Sequence, residues 1–131
     1  MLTAVEPRVS FLTVDCRAHG KSGRRWLATW VLRNDDAQQL HLEMAWIPHG
    51  RFRGDGRFGL DAIVNAGDST RLEFPVTAQE APETVVENAF LILRVRSQGR
   101  GWRIFTRMRV EFDAQAVPRP RVEVVTLQSI E

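Results

Sequence analysis

The chain has 131 residues, 44% hydrophobic and 26% charged, with a formal net charge of +2. That length suits one domain, residues 1–131, large enough to bury about two-thirds of its unfolded surface without staples, and the lone cysteine, Cys16, excludes an intrachain disulfide, a CxxC pair and a thiolate metal site. MLTAVEPRVSF lacks a charged leader followed by an apolar run, and no apolar stretch approaches the roughly 18 residues that span a bilayer, so the expectation is a soluble cytoplasmic protein.

Glycine punctuates the chain at Gly20, Gly23, between Gly50 and Gly67, and at Gly99 and Gly101, and the intervals read as strands. Arg8 to Arg17 alternates Val9, Phe11 and Thr13 against Ser10, Leu12 and Val14; Arg25 to Arg33 sets Trp26, Ala28, Trp30 and Leu32 against Leu27, Thr29 and Val31. Asn34-Asp35-Asp36 then turns the chain, because short Asx side chains satisfy turn backbone locally. Leu40, Leu42, Met44 and Trp46 follow at period two as an apolar face, leaving His41, Glu43, Ala45 and Ile47 outward, and the strand ends at Pro48.

After the loop of residues 49–59, in which Phe52 and Phe58 pin the backbone to the domain edge, comes a weak strand around Leu60 to Val64 and a turn at Asn65-Ala66-Gly67-Asp68. Thr70, Leu72, Phe74 and Val76 make the next apolar face, and Pro75 belongs at a sheet edge or strand end. Residues 77–88 are polar and acidic, with room for one helical turn at Pro82-Glu83. Ala89 to Phe112 is a hairpin: Leu91, Leu93 and Val95, with Trp102, Ile104, Thr106, Met108, Val110 and Phe112, form its core side. Pro118 and Pro120 break the chain, and Val122 to Leu127 is a final short strand or an extended tail.

Seven to nine short strands with frequent turns indicate an all-β antiparallel sandwich or barrel. In strand number, spacing and the tryptophans of the second and third strands, Trp30 and Trp46, residues 8–112 resemble an immunoglobulin-like or fibronectin-III-like β-sandwich, with 113–131 as a C-terminal extension or added strand. The chain departs from that pattern in having no cysteine pair and no tyrosine. The resemblance implies a scaffold used for binding and assembly, although fold alone does not establish function.

The catalytic signatures are incomplete. His41 and Glu43 spell the H-x-E that opens a zinc deaminase signature, but P-C-x-x-C is missing, and His19 and His49 have no metal-ligand spacing. No G-x-S-x-G elbow occurs, and HGRFRGDGRFG is glycine-rich without being a P-loop. Arg53-Gly54-Asp55 matches the tripeptide read by integrins, a coincidence expected in arginine- and glycine-rich loops. The expectation is a non-enzymatic protein without cofactor or metal.

Charge supplies the remaining signal. Residues 60–88 hold six acids and one arginine, residues 89–112 six arginines and one acid, and seventeen of the eighteen basic residues are arginine. A GC-rich genome accounts for arginine usage in general, but the hairpin collects Arg94, Arg96, Arg103, Arg107 and Arg109 on one side, with Phe90, Ile92 and Phe105 between them. With Ile47 from the neighbouring third strand these residues form an apolar strip bordered by arginines, the composition of an interaction surface, unless the C-terminal segment or a loop covers it. The leading expectation is a binding or assembly module engaging a protein partner or a second copy through this face. The alternative is a nucleic-acid binder that uses the same arginines for phosphates and Phe90 or Phe105 for stacking.

Overall fold

The computed structural model describes residues 6–130. Nine strands run through them: β1 (Val9–Ala18), β2 (Arg25–Asn34), β3 (Leu40–Trp46), β4 (Arg53–Gly54), β5 (Arg57–Val64), β6 (Ser69–Thr77), β7 (Val85–Ser97), β8 (Arg100–Phe112) and β9 (Pro118–Ser129). They form two antiparallel sheets, ordered β1-β2-β6-β4 and β5-β3-β7-β8-β9, packed into a sandwich. No helix occurs among the described residues; the Pro82-Glu83 segment makes a turn, with Glu83 at φ 66°.

The core lies where the alternation points inward from both sheets. Trp30 is fully buried, its Nε1 donating to Met108 Sδ across the sandwich at 3.3 Å, and Trp26 Nε1 donates to the Ala78 carbonyl at 2.8 Å. A buried indole needs such an acceptor, since an unmade bond carries the desolvation penalty of its N–H. The hairpin core side holds as read: Leu91, Leu93, Val95, Trp102, Ile104, Thr106, Met108, Val110 and Phe112 are all buried. Its turn has Gln98 at φ 52° and Gly99 at φ 75°, the two left-handed residues that a tight turn needs to match the strand twist. Phe52 is buried and Phe58 stacks on Phe74 with centroids 4.7 Å apart, so the glycine-rich loop is pinned as anticipated.

Alternation fails where strands bulge. In β3, Leu42 faces Val95 but Met44 faces Arg94, so Glu43 and Met44 together occupy the place opposite one β7 residue. The extra residue reverses the parity downstream. Ala45 and Ile47 therefore enter the core, at 0% and 1% exposure, while Met44 and Trp46 turn to the outer surface and are half-buried. The expectation of an inward Met44 and Trp46 and an outward Ala45 and Ile47 is thereby corrected. A bulge between Phe11 and Thr13 likewise breaks the β1 alternation, bringing Phe11, Val14 and Cys16 opposite the buried Leu32, Trp30 and Ala28; the Thr13 side chain lies outside the described set.

Pro118 and Pro120 do not break the chain before its last strand; they belong to it. β9 is an edge strand, where a proline without an N–H is tolerated. Its entry turn is organised by Asp113, whose Oδ1 accepts from the backbone of Gln115 and Val117, both at 2.9 Å. Pro75 also meets its expectation locally, because β4 reaches only Val76 and Thr77 and leaves that stretch of β6 unpaired on one side.

Asn34 ties the two sheets at one end. Its Nδ2 donates to the carbonyls of Gln38 (2.8 Å) and Val64 (3.0 Å), and its Oδ1 accepts from Asp36 N (3.0 Å). Its backbone bonds to the β5–β6 turn through Asp68 O and Gly67 N, each at 2.9 Å.

Candidate binding face

The outer face of the second sheet carries the hairpin arginines, and cross-strand register arranges them in rows. One row runs Arg57, Trp46, Ile92, Phe105 and Thr126 from β5 to β9. The next sets Met44 and Arg94 beside Arg103 and Gln128; on the other flank Phe90 lies opposite Arg107, and Arg107 opposite Val124. Trp46 thus takes the central place expected of Ile47, which is core and leaves the proposed site. Arg57 lies over the Trp46 ring, its Cζ 5.0 Å from the centroid, a cation–π geometry that also fixes the guanidinium above the row.

The apolar row is less open than composition implied. Ile92 is only 8% exposed, which corrects its expected place on an accessible strip, and Phe90, Phe105 and Trp46 are half-buried. Arginine stems next to them account for this, since a long side chain covers apolar surface with its methylenes while keeping its head in water. Arg94 and Arg103 are exposed, and Arg96, Arg107 and Arg109 half-buried.

Bulges deliver acids to this face. Glu43, in the β3 bulge, lies 3.6 Å from Arg94 and 3.7 Å from Arg96. Glu87, in a β7 bulge opposite Arg109, holds Arg109 Nη1 at 2.7 Å, and Glu111 holds its Nε at 3.1 Å. A third bulge, in β9, sets Glu123 and Val124 together opposite Arg107. Among the described residues Arg103 and Arg107 have no ion-pair partner, and Arg107 Nε is buried without a hydrogen-bond acceptor. Arg94 stands directly across from Arg103, and Arg109 across from Arg121; Glu43 lies beside Arg94 and Glu111 beside both Arg109 and Arg121, so among the described residues Arg103 is the member of these like-charged pairs without an acid.

β9 decides whether the face is accessible. It pairs with β8 from Phe112 to Trp102 and extends the sheet sideways, so it does not fold over the arginines. On the other sheet, a shallow groove lined by Val14, Asp15, Arg17, Leu27, Thr29, Val31 and Arg71 has Cys16 at its floor. Burial first, then the neighbouring Asp15, push that thiol up to about 12, so it is protonated and unreactive at neutral pH. His41 and Glu43 are outward strand residues: His41 Nε2 bonds to Asp61 Oδ1 at 2.8 Å, and Glu43 faces arginines. Arg53 and Asp55 flank a Gly54 whose Cβ would meet the Phe58 ring at 2.9 Å, and Asp55 is paired to Arg25 at 2.9 Å.

The reading of single strands missed Trp46, Met44, Arg57, Arg121 and Val124 as members of this face. A signal for the first two existed: Leu40 to Ile47 carries two interleaved apolar sets, Leu40/Leu42 and Ala45/Ile47, which only a parity change can bury together. No helix among the described residues is long and apolar enough to cross a membrane. Compared with known proteins, the chain matches no family model and no curated relative.

Proposed function

We propose that this protein is a non-catalytic binding module, an immunoglobulin-like sandwich whose arginine and aromatic face docks on a protein partner that presents carboxylates. The strand order supports the scaffold: β1-β2-β6 opposite β5-β3-β7-β8 follows the A-B-E and C′-C-F-G arrangement of such domains. β9 is an addition beside the last of these, and β4 lies in the place of strand D but precedes β5 in the chain.

The observation that carries the binding reading is that Arg103 and Arg107, on either side of Phe105, have no acid of their own among the described residues. Two guanidinium forks about an aromatic ring are the residue types enriched at protein interfaces. Glu43, Glu87, Glu111 and Glu123 stand among the arginines. Interleaved carboxylates repel a phosphate backbone but match a mixed-charge protein surface, which favours a protein over a nucleic acid.

The test is Arg103→Glu combined with Arg107→Glu, with the thermal midpoint measured alongside because Arg103 is exposed but Arg107 is half-buried. Wild type should capture a discrete partner that the variant releases, while neither retains single-stranded oligonucleotides. Salt-sensitive oligonucleotide binding by wild type, lost in the variant, would replace this reading with the nucleic-acid one. Identical behaviour of both proteins would show the face to be merely solvated.

A further inference from the structure

We propose that a second copy of this chain pairs with the free edge of β5, antiparallel about a two-fold axis at Gly59, joining the second sheets of the two copies. The surface meets the arginine rows at Arg57, which heads one of them, but the inference does not rest on the partner proposed for them. Four strands end the two sheets, three of them protected, and the stretch of β6 that β4 leaves unpaired carries Pro75. β1 and β9 flank one seam, where Asp15 and Arg119 approach to 3.8 Å and Phe11, Leu12, Pro120 and Val122 line the same hollow, and β9 carries two prolines. β4 is two residues long.

β5 differs from all of these. It runs for eight residues with neither proline nor lysine, two of the devices by which edges are blunted, and its bulge, Leu60 and Asp61 against Glu43, keeps the alternation of its own side chains. Among the described residues no backbone hydrogen bond outside its ladder with β3 involves Arg57–Ile63. Ile63, 52% exposed, is one of the large apolar side chains left open to solvent.

Parity and charge then select a register. Directly opposed residues of an antiparallel pair point to the same face, so a symmetric pairing must centre on a residue. Centred on Phe58, it opposes Asp61 to Asp55; centred on Asp61, it opposes that residue to its own copy. Centred on Leu60, it leaves Arg57 facing Ile63 and Asp61 facing Gly59. Only a Gly59 centre opposes Arg57 to Asp61, and symmetry makes that pair twice, with Phe58 against Leu60 on the inner side. Arg57 and Asp61 are exposed, Asp61 with 92% of its side chain accessible, and both lie on the outer face. Gly59 at the axis has no side chain to obstruct the approach, and space for one: an added Cβ there meets nothing within 4 Å.

The test uses the full chain. Sedimentation equilibrium over rising concentration should move the mass from 15.0 kDa toward twice that value. Asp61→Arg, which replaces two attractive cross-strand pairs by two repulsive ones, should weaken the dimer by about tenfold or more. Adding Arg57→Asp to that variant restores the complementarity and should recover the dimer. Gly59→Cys should oxidise to a symmetric disulfide dimer, because opposed residues sit within bonding reach and Cys16 is buried. Ile63→Cys, four residues from the axis, should not. A monomeric mass throughout, a swap variant that stays monomeric, or preferential cross-linking of Leu60→Cys would each overturn the proposal.

Discussion

Replacing Asn34 tests the most exacting statement about the fold, that one buried amide holds the β2–β3 turn and the end of β5 together. Asn34→Ala removes three side-chain hydrogen bonds, to Gln38 O, Val64 O and Asp36 N. At roughly 1 kcal/mol net for each, and about 1 kcal/mol more for a carbonyl left unsatisfied in the interior, the loss is about 3–4 kcal/mol. With an unfolding entropy near 2.1 cal/mol/K per residue over 131 residues, this corresponds to a fall in Tm of roughly 10–14 °C. Asn34→Asp sharpens the test. A carboxylate at this position would aim an acceptor at the two carbonyls that now receive Nδ2, so ionisation is disfavoured in the folded state and the folded pKa is raised. A carboxyl with a raised folded pKa binds more protons folded than unfolded, so stability falls as pH rises from about 3.9 through the folded value. The deficit of Asn34→Asp against wild type should therefore be small in acid and grow toward neutrality, as read by calorimetry between pH 3.5 and 8. A loss below about 1 kcal/mol for Asn34→Ala, or an Asn34→Asp deficit that does not change with pH, would refute the reasoning.

The β3 bulge predicts a contrast between two tryptophans: Trp30→Ala should cost about 3–5 kcal/mol by urea denaturation and Trp46→Ala about 1–2, because only the first is fully enclosed. Equal losses would place Trp46 back in the core. Asp113 is held below the usual carboxylate range by the Val117 backbone N–H, then by Gln115 N–H and by Arg119. Its contribution should be fully present above the unfolded value of about 3.9 and disappear as pH falls through the lower folded pKa. Thermal midpoints of wild type and Asp113→Ala should accordingly differ at pH 7 and converge in strong acid.

The hairpin was legible in the chain because its alternation is unbroken from Ala89 to Phe112 and because side-chain direction in a strand is set by period two alone. Leu91, Leu93, Val95 and the run from Trp102 to Phe112 needed no knowledge of a partner. The same local rule placed Trp26, Ala28, Trp30 and Leu32 inward and assembled five arginines on one outer side. What lay beyond it was every feature decided across strands. A bulge is a property of a pair, two residues set against one, so the reversal that buries Ala45 and Ile47 and exposes Trp46 depends on how β3 meets Arg94 and Val95. The fate of Val122 to Leu127 depended on whether the open edge of β8 or the face above it captured the segment. Edge pairing satisfies backbone groups that covering the face would leave unpaired, and it is this tertiary choice that keeps the arginine rows accessible.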